Sequence, residues 1–111
     1  MIVEDDAITN LDLKSFFQSQ GFNVTSADRY ETAINTAIVT LPDIIIMDII
    51  LKGDKTGFDV ANEVKKHCNP KIIFCTALTD KNTIQQINDL NYFYFNKPVN
   101  NVELLKLIKK L

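Results

Sequence analysis

The stretch DIIIMDIIL, residues 43 to 51, decides the fold of this chain. After Asp43 its apolar residues follow one another without alternation, and Asp48 alone interrupts them. Strands covered on both faces lack alternation, so the stretch predicts a buried strand of a parallel sheet. An unpaired carboxylate in apolar surroundings carries a large desolvation cost. We therefore expect Asp48 to lie at the strand end, beside solvent, a metal ion or a positive charge, although a simple turn cap is an alternative.

Strand-like and helix-like segments alternate along the rest of the chain. Further strands are predicted at residues 1–3, 22–26, 71–75 and 92–96. Gly21 is expected to end the first helix, Asp28 to cap the second, and Thr79 or Asp80 to cap the fourth. The third helix is expected to end near His67, before Pro70. The predicted inward positions of the five helices are Ile8, Leu11, Leu13, Phe16, Phe17; Tyr30, Ala33, Ile34, Ala37, Ile38; Phe58, Val60, Ala61, Val64; Ile84, Ile87, Leu90; and Val102, Leu105, Ile108, Leu111.

This alternation predicts an α/β fold with a parallel sheet and helices on both faces. A chain of 111 residues is large enough for one domain, which we assign to residues 1–111 with no output domain. The first predicted strand, residues 1–3, is short for a central strand. We expect its start to be trimmed.

Composition excludes several function classes. A net charge of -2 gives no basic surface for nucleic acid, so direct nucleic-acid binding is not expected. The spacing of Cys68 and Cys75 fits no zinc motif, and reduced thiols indicate a cytoplasmic protein. No apolar run has the length of a membrane helix, and the N-terminal residues do not resemble a signal peptide. We expect a soluble, cytoplasmic domain without a membrane contact.

Charged and hydroxyl side chains follow the predicted strands. Ligand sites in such folds lie beyond the carboxyl ends of the strands. Carboxylates without histidine or thiolate favour Mg²⁺, with Mn²⁺ as a substitute. Magnesium in proteins is usually coordinated by phosphate oxygens as well as by carboxylates. A carboxylate can attack phosphorus, so Asp48 is the expected phosphoryl acceptor. The residues in these positions are Glu4, Asp5 and Asp6, Asp48, Thr76, and Lys97.

Taken together, these segments resemble the response regulator receiver domain of two-component signalling. The resemblance spans the whole chain and rests on IVEDD at 2–6, DIIIMDIIL at 43–51 with LKGDKTGFD at 51–59, FCTA at 74–77 and YFNKP at 94–98. It implies a flavodoxin-like, three-layer doubly wound sandwich. The sheet would have five parallel strands in the order 2-1-3-4-5, with five helices around it.

The resemblance also implies a role for each site residue. Asp48 matches the phospho-acceptor, and Glu4 with Asp5 matches the acidic metal-binding pair. The backbone carbonyl of Ile50 matches a further metal ligand. Lys97 matches the lysine that contacts the phosphoryl group, and the Lys97-Pro98 bond is expected to be cis. Asp6, the third acid, is expected to cap the first helix.

Two further positions match the switch of the family. Thr76 matches the switch hydroxyl, and Tyr94 matches the aromatic residue that turns inward when the hydroxyl moves. Ile50 and Leu78, two residues beyond the acceptor and the switch threonine, are apolar where the family admits or orients the hydrolytic water. We therefore expect a slow loss of the phosphoryl group.

The implied function is a regulatory phosphorylation switch, which assists its own phosphorylation and dephosphorylation but is not an enzyme on other substrates. The implied partner is a histidine kinase or phosphotransfer protein, and a homodimer or effector contact is expected through the fourth helix, fifth strand and last helix. Two alternatives remain: a Mg²⁺-dependent enzyme such as a phosphatase or nuclease, and a receiver-like module that has lost phosphorylation. Ile49, Ile50 and Leu51 supply no second acid or base for the former. The complete acceptor set argues against the latter.

Overall fold

The computed structural model describes all 111 residues. Five parallel strands form one sheet in the order β2-β1-β3-β4-β5, which confirms the predicted order. The strands are β1 (Ile2–Val3), β2 (Ser26–Ala27), β3 (Ile44–Met47), β4 (Lys71–Thr76) and β5 (Phe93–Asn96). The helices are α1 (Ala7–Ser19), α2 (Tyr30–Thr40), α3 (Gly57–Val64), α4 (Lys81–Asp89) and α5 (Asn101–Lys110). The predicted α/β class is therefore correct.

The sheet separates two hydrophobic clusters, one on each face. On one face α2, α3 and α4 contribute buried residues such as Ala33, Val60 and Ile87. On the other face α1 and α5 contribute Phe17 and Leu104, among others. Strands β3 and β4 supply residues to both clusters, which explains why their sequences are apolar without alternation.

The register of the sheet brings the carboxyl ends of its central strands to one edge. Ile2 pairs with Ile46, which pairs with Ile73. The amide of Asp48 donates to the carbonyl of Val3 at 3.0 Å, so the chain leaving β3 stays bonded to the end of β1. The acidic residues after β1 and β3 consequently lie side by side.

Two local predictions about the second strand and second helix are wrong. Strand β2 pairs through Ser26 and Ala27, later than the predicted residues 22–26. Phe22 instead packs against Phe17, with ring centroids 5.6 Å apart. Asp28 does not cap α2, because the N-cap residue is Arg29 and its side chain makes no capping hydrogen bond.

Several predicted inward positions are also wrong. Ile8 and Leu11 of α1 are exposed, and so is Ile38 of α2. In α5 the buried residues are Leu104 and Ile108, whereas Val102 and Leu111 are exposed. Leu90 follows α4 and is exposed. Apolar residues outnumber the positions that face the sheet, so spacing alone did not select the correct face.

The predicted helix ends agree better with the structure. Asp6 caps α1 by accepting the amide of Thr9 at 3.0 Å, and Asp80 caps α4. Gly21 has a φ of 90° just after α1, a backbone conformation that glycine adopts without a steric cost. Helix α3 begins at Gly57 and ends at Val64, three residues before His67. No helix has both the length and the apolar composition needed to cross a membrane.

Candidate functional site

Glu4, Asp48 and Lys97 form an ion-paired group at the carboxyl edge of the sheet. The Lys97 ammonium donates to Asp48 Oδ2 at 2.7 Å and to Glu4 Oε1 at 2.5 Å. Glu4 is buried and the Asp48 side chain is 13% exposed, so these charges interact in a partly water-excluded region. Asp48 lies directly after β3, as predicted, and its neutralising partner arrives from the loop after β5. Asp48 also makes the contact of a turn cap, because its Oδ1 accepts the amide of Ile50, so the cap and the ion pair are both present.

Mutual charge and burial shift the pKa values of this group. Burial raises the pKa of Glu4, and the negative charge of Asp48 adds to the effect; the hydrogen bond from Lys97 only partly opposes it. For Lys97, burial alone would lower the pKa. Its hydrogen bonds and charge attraction to Asp48 and Glu4 outweigh burial, so the pKa of Lys97 is raised. The lysine is therefore a permanent cation in the site.

The third carboxylate, Asp5, completes a group suited to a hard divalent cation. Oxygen atoms of Glu4, Asp5 and Asp48 lie within 4.8 Å of one another. Lys97 balances one of the three negative charges. The other two would be neutralised by the two positive charges of one Mg²⁺ ion. Oxygen ligands without sulfur or imidazole are the set that Mg²⁺ prefers. The donor set and its charge thus fit the predicted metal.

The loop after β3 carries the carbonyl predicted as a further ligand. The amide of Ile50 donates to Asp48 Oδ1 at 3.3 Å, and Ile50 pairs with Thr56 in an isolated bridge. The Ile50 side chain is 57% exposed. The backbone of Ile50 is therefore held beside Asp48 while its side chain points to solvent.

Thr76 ends β4 at the same edge and is buried. Its Oγ1 accepts the amide of Leu78 at 3.1 Å, and its carbonyl accepts the amide of Lys97 at 2.9 Å. The hydroxyl donates its own proton to no protein group. Thr76 is therefore tied to the lysine through the backbone and keeps one free hydrogen-bond donor.

Tyr94 lies in β5 and is half-buried against the cluster beneath α3 and α4. Its partner across the strand pair is Phe74, while the partner of Thr76 is Asn96. The Lys97-Pro98 peptide bond is cis, as the resemblance implied. The structure thus places Tyr94 on the same strand pair as Thr76, two positions away from it.

Sequence reasoning missed Asn10, a half-buried residue of α1. Its side-chain amide donates to the carbonyl of Glu4 at 2.9 Å and to the carbonyl of Ala27 at 3.3 Å. A lone asparagine in the first turns of a helix has no distinctive pattern, and its partners come from two different strand ends. No sequence signal could have identified it.

Comparison with protein families gives one match across the chain. The model described as "Response regulator receiver domain" matches residues 1–109. This chain belongs to that family. Its regulatory character follows from this membership.

Similar receiver proteins come from diverse bacteria. The aerobic respiration control protein ArcA of Escherichia coli is 35% identical over 94% of this chain and 44% of its own length. The transcriptional regulatory protein KdpE of Staphylococcus aureus is 34% identical over 98% of this chain and 47% of its length. A cyclic di-GMP phosphodiesterase of Thermotoga maritima is 31% identical over 96% of this chain, but this covers only 28% of that protein. The receiver chain spans about half or less of these relatives.

Solved structures agree with the fold. The signal receiver domain of a modulated diguanylate cyclase from Desulfovibrio desulfuricans has a TM-score of 0.87 and 33% identity, covering 98% of this chain and 88% of that one. A two-component response regulator from Clostridium difficile has a TM-score of 0.91 and 24% identity, covering 98% and 90%. The latter similarity shows the fold alone.

Proposed function

We propose that this receiver is a phosphorylation-dependent switch whose acceptor is Asp48. The observation that carries the proposal is the position of Asp48 just after β3, in contact with the Lys97 ammonium and within 4.8 Å of carboxylate oxygens of Glu4 and Asp5. The donor would be the phosphohistidine of a histidine kinase or phosphotransfer protein. We place this exchange in the cytoplasm.

In the proposed transfer, an Asp48 carboxylate oxygen attacks phosphorus and forms the new O–P bond. The P–N bond of the phosphohistidine breaks, and its electron pair stays on the leaving imidazole nitrogen. Lys97 already donates to Asp48 at 2.7 Å, so its ammonium can follow the charge onto the phosphoryl oxygens. Glu4, Asp5, Asp48 and the carbonyl of Ile50 would hold a Mg²⁺ ion, which would supply further positive charge there when bound.

The buried hydroxyl of Thr76 would then bind to the phosphoryl group. The hydroxyl would give up the bond that it accepts from the Leu78 amide. It would donate its own proton to a phosphoryl oxygen. Movement of Thr76 would open space for the Tyr94 ring and shift the population of two conformations. The expected output surface is formed by α4, β5 and α5. Its exposed apolar residues are Leu90 just after α4, Phe93 in β5 and Val102 in α5. A homodimer or an effector would bind there.

The test is direct phosphorylation of the purified chain. Wild type and Asp48→Asn are incubated with Mg²⁺ and acetyl phosphate, and their intact masses are compared. We expect one added phosphoryl group on wild type only, its loss in EDTA-treated samples, and its release by hydroxylamine, which cleaves acyl phosphates. Unmodified wild type, or equal modification of Asp48→Asn, would overturn the proposed acceptor.

A further inference from the structure

Glu4 is held at four separate atoms. Its amide donates to the carbonyl of Ala27 at 3.0 Å, and its carbonyl accepts the side-chain amide of Asn10 at 2.9 Å. Its carboxylate accepts Lys97 at Oε1 and, at 3.5 Å, the amide of Asp6 at Oε2. The same Asn10 amide group also reaches the Ala27 carbonyl at 3.3 Å. One helix side chain thus joins the ends of β1 and β2.

The peptide between Glu4 and Asp5 is the group that this contact orients. The carbonyl bonded by Asn10 belongs to that peptide, so its plane sets the direction in which the Cα of Asp5 leaves β1. The Asp5 carboxylate has no salt-bridge or hydrogen-bond partner of its own, in contrast to Glu4 and Asp48. The position of Asp5 therefore depends on its backbone. The peptide before it is bonded by Asn10 at 2.9 Å, and the amide of Asp6 after it makes a longer bond to Glu4 Oε2 at 3.5 Å.

Strand pairing gives this peptide little other support. Strand β1 contributes two residues to the sheet, and β2 contributes two. The ladder between them ends at the pairing of Val3 with Ala27. Beyond that pair, the Asn10 contacts continue the connection between the two strands up to the acidic residues.

We propose that Asn10 is a positioning residue for metal binding: through the Glu4 carbonyl, it holds Asp5 where its carboxylate can share a divalent cation with Glu4 and Asp48. This inference rests on the proposed metal site. Groups that orient metal ligands through hydrogen bonds affect metal affinity strongly when they are replaced. Asn10 itself contacts none of the three carboxylates.

The experiment measures Mg²⁺ binding to the unphosphorylated chain by titration calorimetry. Asn10→Leu keeps a side chain of similar size but has no donor, and Asn10→Ala removes both. We expect the Kd for Mg²⁺ to rise about tenfold or more in both variants. The matched control is Asn35→Leu, which makes the same replacement at an exposed position of α2. Its Kd should equal that of wild type.

A second measurement separates positioning from general stability. The phosphorylation rate with acetyl phosphate is followed as Mg²⁺ is increased, with folding checked by circular dichroism. The Asn10 variants should need about tenfold more Mg²⁺ for half-maximal rate, yet reach the wild-type rate at saturation. A merely structural role would lower thermal stability without moving this midpoint.

The outcomes are distinguishable. If wild type binds Mg²⁺ and Asn10→Leu binds it equally well, the positioning role is overturned while the proposed function stands. A normal Kd in Asn10→Leu with a raised Kd in Asn10→Ala would assign the effect to packing, and would also overturn it. Absence of Mg²⁺ binding in wild type would overturn the metal site itself.

Discussion

Replacing Gly57 by alanine should damage both the fold and the acceptor, because α3 begins against the backbone of Asp48. A Cβ at residue 57 would overlap the Asp48 carbonyl oxygen and lie 3.0 Å from the Cα of Ile49. Carbon atoms pack at about 3.5 Å, so the backbone there must move by roughly half an ångström or more. The Gly57 amide also donates to the Ile49 carbonyl at 2.7 Å, which restricts how the two segments can separate.

The cost follows from two opposing effects. Overpacking of this kind typically costs about 1–3 kcal/mol. Alanine in a helix regains about 0.5–1 kcal/mol relative to glycine. The free energy of unfolding of Gly57→Ala should therefore fall by about 1–2 kcal/mol, which lowers Tm by roughly 5–10 °C in a domain of this size. Displacement of Asp48 should slow phosphorylation by about tenfold or more, since a shift of about 1 Å can cost a hundredfold.

The assay pairs thermal unfolding with the rate of phosphorylation by acetyl phosphate in Mg²⁺. Gly21→Ala is the matched control, because its φ of 90° strains any other residue, while no atom lies near the added Cβ. That variant should also lose about 1–3 kcal/mol of stability but keep the wild-type rate, since residue 21 is remote from Asp48. Normal stability and rate in Gly57→Ala would refute the steric reasoning. Equal rate loss in Gly21→Ala would show that the rate merely follows stability.

Three further outcomes are expected. Thr56 caps α3 in a capping box, so Thr56→Ala should lower the free energy of unfolding by about 1 kcal/mol. Thr56→Ser keeps the hydroxyl and should retain most of that stability. Equal urea midpoints for wild type and both variants would contradict this. Burial raises the pKa of the Cys75 thiol to about 12, so iodoacetamide at pH 9 should label half-buried Cys68 first and Cys75 only after unfolding, as peptide masses would show. A slow loss of the phosphoryl group is expected because Ile50 offers no hydrogen bond to an attacking water; Ile50→Asn should shorten its lifetime, and a wild-type lifetime of seconds would disprove the expectation.

The central strands could be predicted from sequence because burial on both faces requires nearly every side chain in them to be apolar. Both faces of β3 and β4 are covered, so nearly all of their side chains are apolar and the polar residues mark the strand ends. Asp48 directly follows β3, and Thr76 is the last residue of β4. Lys97 directly follows β5, and the structure brings it into contact with Asp48. A strand-end argument requires only topology, which the alternation of elements supplies.

The edge strand β2 could not be located in the same way. Period-two alternation describes where side chains point, and Phe22 and Val24 do contact apolar groups before the strand pairing begins. The bonds to β1 start only at the carbonyl of Thr25, which accepts the amide of Ile2, because they depend on where β1 lies. Asn10 was missed for the same reason, since its two contacts form only once the ends of β1 and β2 are adjacent.

The ion pair between Lys97 and Glu4 joins residues 93 positions apart. During synthesis, Lys97 leaves the ribosome only after the residues of all five strands have been made. A nascent or truncated receiver that lacks β5 would display Asp48 without its cation, next to the negative charge of Glu4. Under the proposed function, the acceptor site would thus be complete only once β5 has joined the sheet and brought Lys97 to Asp48.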